Sequence, residues 1–175
     1  MTAAIRNDAY TPSQVSAVTG LPLSAVHKAI EYKLIRAKRV REGHLVQRLL
    51  SRPQAVYLRL EAKGLRALPL AARRQVARAV EQDPGIDAMI ISGGGAILIQ
   101  CKSARKEVET GLRRLSEATR MVESDPERMR GAPVYRGTRI PVHAIADMLS
   151  QGATVAEVLE GYPALTREKI ELAPM

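Results

Sequence analysis

Catalysis or metal binding in this chain would have to be assembled from three histidines (His27, His44, His143), one cysteine (Cys101) and the carboxylates Glu123, Asp125 and Glu127. The histidines lie in separate stretches, and none belongs to a His-x3-His or Cys-x2-Cys spacing, so no zinc centre is expected. Cys101 has no base or orienting residue near it in sequence and reads as a small apolar side chain rather than a nucleophile. The acidic run could attract Mg²⁺, but Arg128 and Arg130 stand beside it and point to local charge balance instead. Gly93-Gly94-Gly95 has no Gly-Lys-Ser/Thr after it and is read as a turn, not a phosphate loop. The expectation is a protein that is not an enzyme and uses no metal or cofactor.

The chemistry the sequence does offer is cationic. The chain of 175 residues carries 27 Lys/Arg against 18 Asp/Glu, a formal charge of +9. Up to Asp83 there are fifteen basic residues against six acidic ones, and from Pro84 onward twelve against twelve. All the excess charge therefore sits in the first half, which points to a polyanion held there. Single-stranded nucleic acid is usually stacked on aromatic side chains, and this sequence has no Phe or Trp, so duplex DNA is the expected partner. No apolar run approaches the roughly 18–20 residues of a membrane span, and one cysteine suits a reducing compartment. A cytoplasmic location with no membrane contact is expected.

Elements able to present these cations begin at Thr11. Thr11, Pro12 and Gln14 make a helix start with a capping box, and Gly20 ends that helix. A second helix is expected over about Leu23 to Lys33, with Val26, Ala29 and Ile30 inward and Ser24, His27 and Lys28 on the opposite side, free to enter a major groove. The following segment holds Arg36, Lys38, Arg39, Arg41, Arg48 and Arg52 against Glu42, and its Glu42-Gly43 turn reads as a wing. Ser24, His27 and Lys28 are thus the expected base contacts, and Arg36, Lys38, Arg39 and Arg41 the phosphate contacts. From Pro53 to Val80 the pattern is helical with a break at Leu68-Pro69; Arg73, Arg74 and Arg78 read as solvated helix arginines.

Two β-rich runs, Ala88–Ile91 and Ala96–Ile99, are expected to form a hairpin through the glycines. A helix over about Ser103 to Thr119 carries a seam of Val108, Leu112, Leu115, Thr119 and Val122, which would cover the hairpin or pair with a second copy. The C-terminal stretch is a bend-rich arm with Gly131, Pro133, Gly137 and Pro141, then a helix about Val142 to Ser150, Gly152, a helix capped by Thr154 and Glu157, and a last short helix. The expected fold class is α+β and mainly helical. It comprises a winged helix-turn-helix in a basic region 1–83, a β-hairpin and long helix over 84–121 serving dimerisation, and a three-helix bundle over 122–175.

Tyr10-Thr11, Val15, Thr19-Gly20-Leu21, Ser24, Val26 and Lys33-Leu34-Ile35 resemble the N-terminal unit of MerR-like winged helix-turn-helix proteins, with Lys28 and Ile30 where that family usually has Arg and an aromatic. The run from Gly131 through Gly137-Thr138-Arg139-Ile140-Pro141-Val142, with Gly152, Tyr162-Pro163 and Leu165-Thr166, resembles domain of unknown function 433, often found in antitoxins of VapBC-like pairs. The resemblance spans about Val122 to Leu172. It implies a VapB-type antitoxin that neutralises a toxin, a PIN-domain VapC-like RNase, and represses its own operon as a homodimer. Such proteins usually continue past the last helix with a toxin-engaging tail, whereas this sequence stops at Met175, so either the tail has been lost or toxin contact lies elsewhere. For an acidic Mg²⁺-dependent active site, the cations to insert would be Arg136 and Arg139; alternatively Arg139 braces the bundle by pairing with Asp147 or Glu157. The other functional class is a stand-alone MerR-like regulator sensing a small molecule, against which stands the lack of a cysteine pair or aromatic pocket.

Overall fold

The computed structural model describes residues 9–42, 45–92, 95–124 and 132–175, and shows an α+β chain of helices with small antiparallel two-stranded sheets. The described residues divide into two compact units, 9–112 and 113–175.

The first unit opens with α1 (Pro12–Thr19). Gln14 N–H donates to Thr11 Oγ1 at 3.3 Å and Thr11 N–H to Gln14 Oε1 at 2.9 Å, the expected capping box. Gly20 stops the helix at φ 70°, a left-handed turn that glycine enters without a Cβ clash. Helix α2 (Leu23–Glu31) buries Ala25, Val26 and Ala29 and leaves Ile30 half-buried. It ends two residues before the expected Lys33, because Lys33 itself adopts φ 55°. That left-handed residue costs about 1–2 kcal/mol, and it swings Leu34 and Ile35 into the core, where both are buried.

The ribbon expected as a wing is present as β1 (Lys38–Glu42) paired antiparallel with β2 (Leu45–Leu49). Gly43, half of the expected Glu42-Gly43 turn, lies with His44 outside the described residues. Two backbone bonds between Tyr10 and Leu50, 2.9 and 2.7 Å, tie the ribbon's base to the chain ahead of α1. Helix α3 (Arg52–Ala62) begins with a second capping box, Ser51 with Gln54, and leads through a short 3₁₀ turn (Leu65–Ala67) to α4 (Leu70–Gln82); Leu68-Pro69 directly precedes α4 as expected, but α3 ends earlier, at Ala62, because Gly64 takes φ 113°. Val15, Val26, Leu50, Tyr57, Leu58, Val76 and Val80 form the buried centre of this unit.

Strands β3 (Ala88–Ser92) and β4 (Ala96–Gln100) pair antiparallel as expected, with Gly93 and Gly94 of the turn outside the described residues. Helix α5 (Cys101–Arg120) follows directly and buries Cys101, Ala104, Val108, Leu112 and Leu115. Val108, Leu112 and Leu115 of the apolar seam are therefore part of the core, while Thr119 is half-buried. Val122 leaves the seam altogether, because it sits in a short strand, β5 (Val122–Glu123). Gly111 marks a close helix approach: a Cβ there would lie 2.8 Å from Val18 Cγ1 and 3.2 Å from the Val18 carbonyl.

In the second unit β5 (Val122–Glu123) pairs with β6 (Val134–Tyr135), and a turn at 136–139 leads to α6 (Val142–Ser150), α7 (Val155–Gly161) and α8 (Arg167–Glu171). Thr154 and Glu157 form the expected capping box on α7, and Thr166 caps α8. Tyr135, Ile145, Val158, Leu165, Ile170 and Ala173 make one apolar core. Gly131 and the residues Asp125, Glu127, Arg128 and Arg130 of the acidic run lie outside the described residues.

Candidate nucleic-acid interface

Helix α2 and the β1–β2 ribbon enclose a groove of about 650 Å³ lined by His27, Ile30, Glu31, Lys33, Ile35, Arg36, Ala37, Arg39 and Arg48. Four permanent cations therefore face one concavity against a single carboxylate, Glu31. Strand register explains the pairing of two of them: Arg39 lies directly opposite Arg48, so both project from the same face of the ribbon. Like charges at directly opposed ladder positions repel, and an anion between them removes that penalty. Arg41 lies opposite Val46 on this face as well, while Lys38 belongs to the other face with its partner Leu49.

Of the expected DNA-contact residues, His27, Arg36 and Arg39 meet in this groove. Ser24 and Lys28 are exposed on α2, one helical turn apart, on the stripe beside His27. Arg41 is exposed and engaged in an interaction of its own. The sequence places Arg48 in the basic segment but not at the site, and Lys33 only at a helix end and in the MerR-like match. A turn at Glu42-Gly43 would set Arg39 against Val46; the ladder instead pairs Glu42 with Leu45, and that two-residue shift sets Arg48 against Arg39.

The frame behind the groove is polar and tightly tied. Buried Gln54 donates through Nε2 to the Arg36 carbonyl at 3.0 Å while its Oε1 accepts from Ser51 N–H at 3.0 Å, so one side chain both starts α3 and fixes the backbone of Arg36. Arg59 donates to the Thr19 carbonyl at 2.7 Å, satisfying the end of α1, and to Glu107 at 2.6 Å. Lys63 also reaches Glu107, and these two cations hold its carboxyl below the usual range. Glu61, with its side chain 2% exposed, accepts a two-pronged grip from Arg73, Nε at 2.8 Å and Nη2 at 2.7 Å, and a hydrogen bond from Tyr57 Oη. Arg73 is thus not a solvated helix arginine, contrary to expectation, because a buried carboxylate on the neighbouring helix claims it. The Glu61 hydrogen bond pushes the Arg73 pKa up; burial, together with the same carboxylate, pushes up that of Tyr57.

Cys101 is buried at the start of α5, and desolvation raises its thiol pKa, the opposite of what a nucleophile needs. His27 and His143 are exposed on α2 and α6, and among the described residues no three His, Cys, Asp or Glu side chains converge. No helix among them is long and apolar enough to cross a membrane.

The second unit presents Arg136 and Arg139 on a turn pinned from several sides. Thr138 Oγ1 donates to the Tyr135 carbonyl at 2.8 Å and accepts from Ile140 N–H at 3.1 Å; Arg136 N–H donates to the Met121 carbonyl at 2.8 Å and Gly137 N–H to Glu123 at 3.3 Å. Gly137 takes φ 76°. Both arginine side chains are exposed, and neither forms an ion pair among the described residues. The expected brace from Arg139 to Asp147 or Glu157 is absent there: the Glu157 carboxylate instead accepts from Thr154 N–H and Oγ1, both at 2.8 Å. This geometry coincides with a recognisable segment. Residues 122–174 match the family described as protein of unknown function (DUF433).

Part of this chain is also similar to a curated relative. The uncharacterized protein y4eO of Sinorhizobium fredii is 44% identical over 59 residues, which is 34% of this chain and 27% of that protein, so the match spans about a quarter of the relative's length. Among solved structures, the crystal structure of Rv2018 from Mycobacterium tuberculosis aligns with 94% of this chain and 95% of its own at 16% identity, with a TM-score of 0.38. The DUF433 core is completed by Tyr135, whose buried hydroxyl has no hydrogen-bond partner among the described residues and whose pKa burial pushes up to about 12.

Proposed function

We propose that this chain is the antitoxin of a type II toxin–antitoxin pair, with no catalytic role of its own. Its N-terminal unit binds duplex DNA at its own operator, in the cytoplasm and as a homodimer, and thereby represses the operon. The DUF433 unit neutralises the cognate toxin, a PIN-domain RNase of the VapC kind. The observation that carries the DNA half is the groove where Lys33, Arg36, Arg39 and Arg48 converge beside the exposed Ser24/His27/Lys28 face of α2. A helix laid in the major groove would bring that cluster against the adjoining phosphates. Supporting the toxin half is the pinned turn on which Arg136 and Arg139 are exposed and form no ion pair among the described residues, since a guanidinium can grip an active-site carboxylate bidentately without losing its charge.

The reading is tested by fluorescence anisotropy with duplex from the region upstream of the gene, and by co-expression with the product of the adjacent gene. Specific duplex binding and relief of growth arrest support it. Absence of duplex binding rejects the DNA half, and a neighbour that is not toxic rejects the antitoxin half.

A further inference from the structure

The β3–β4 hairpin is built unlike the basic ribbon. Strand β3 packs against α4, whereas β4 makes its principal contacts with β3 alone. The sheet has two strands, so the outer edge of β4 has no partner strand among the described residues. One face of the hairpin consists of Ala88, Ile90 and Ser92 with their cross-strand partners Gln100, Leu98 and Ala96. It carries no charge in a chain that is 26% charged. Ile90 and Leu98 lie opposite each other on it and are 67% and 56% exposed. Unpaired edges are ordinarily guarded by lysine, proline or a bulge. Strand β4, Ala96-Ile97-Leu98-Ile99-Gln100, has none of these and pairs with β3 residue for residue.

We propose that the free edge of β4 pairs antiparallel with β4 of a second copy of this chain about a two-fold axis at Leu98. In that register Leu98 faces Leu98 of the second copy, Ile97 faces Ile99, and Ala96 faces Gln100. Every partner thus sits on the matching face of the pleat, as cross-strand residues must. The product is a four-stranded antiparallel sheet with Ile90 and Leu98 from both copies in one continuous apolar row. Charge decides the occupant. Nucleic acid finds no cation on this face and a charged protein finds no counter-charge, while an identical uncharged strand meets neither repulsion nor an unpaired ion, even though each whole chain carries +9. The inference rests on the proposed operator binding only in that a palindrome calls for a two-fold protein.

Light scattering on the full chain at micromolar concentration gives about twice the 19.1 kDa chain mass. Leu98→Lys and Leu98→Glu each place like charges directly opposite one another and elute as monomers with unchanged circular dichroism. An equimolar mixture of the two regains the doubled mass, because opposite charges then face across the axis. A monomeric wild type, a Leu98→Lys variant that remains dimeric, or a mixture that remains monomeric overturns the proposal. Binding to a half-site duplex is measured in parallel. If it survives while the dimer result fails, the DNA reading stands without this interface; if the dimer result holds and no variant binds duplex, the interface stands without the DNA reading.

Discussion

Replacing Arg73 by Met tests the frame on which the groove is built. The guanidinium, 16% exposed, makes two bonds of 2.7–2.8 Å to Glu61, whose carboxylate is 2% exposed and accepts one further bond, from Tyr57. Loss of the arginine leaves a buried charge with one neutral donor, which costs about 3–5 kcal/mol, against the ~0–1 kcal/mol of a solvated pair. For a unit near a hundred residues each kcal/mol moves the midpoint by roughly 4–8 °C, so the melting transition of the N-terminal unit, followed by circular dichroism, falls by at least roughly 12 °C. Removing the whole cluster in Tyr57→Phe/Glu61→Leu/Arg73→Met restores most of the loss, because apolar groups of similar volume replace buried ion pairs at little cost. A single variant that loses less than about 1 kcal/mol, or a triple variant as unstable as the single one, refutes the assignment of Arg73 to a buried network.

Other outcomes follow from individual groups. Tyr135→Phe removes a buried hydroxyl that has no partner among the described residues and stabilises the DUF433 unit by about 1 kcal/mol, read as a rise in its melting midpoint; an unchanged or lower midpoint contradicts it. Glu107, Asp87 and Glu157 have pKa values below the usual carboxylate range, chiefly through hydrogen bonds from Lys63, Arg105 and Thr154 respectively. Their contribution to stability is present above the unfolded-state pKa and is lost as pH falls through the lowered folded-state values. Denaturation midpoints measured down through pH 4–3 therefore decline, less steeply in high salt because Asp87 and Glu157 are exposed and Glu107 is half-exposed; a midpoint insensitive to both contradicts the pairing. Arg136→Ala and Arg139→Ala leave the melting midpoint within about 0.5 kcal/mol of wild type, as surface changes do, while weakening toxin binding in a pull-down titration. Lost stability with unchanged toxin affinity would remove both arginines from toxin binding and favour the brace by Arg139.

The features legible in the sequence are those whose causes lie within a few residues. Thr11 with Gln14 and Thr154 with Glu157 announce their helices because cap and responder sit three apart, and Gly20 ends α1 through its own backbone freedom. The Glu61–Arg73–Tyr57 network was not legible, since the partners lie on two helices whose mutual packing no local pattern specifies. The same holds for Gln54 reaching back to Arg36. At the site, the exposed stripe of α2 followed from helical spacing, whereas the meeting of Arg39 with Arg48 depended on register. The seam continued to Val122 on paper because its spacing suited a helix; the chain instead leaves the helix after Arg120 and spends Val122 on a strand pairing with Tyr135.

The central claim, that the groove beside α2 is a phosphate-binding surface for duplex DNA, is tested most directly by the salt dependence of duplex binding for wild type and for Arg39→Ala/Arg48→Ala. Each phosphate neutralised contributes about 0.9 to the slope of log affinity against log salt, so the four groove cations predict a wild-type slope steeper than about −3.5 per half-site. The double variant is predicted to be shallower by about 1.8, with unchanged base preference. Equal slopes for the two proteins, or binding that does not respond to salt, would contradict the account.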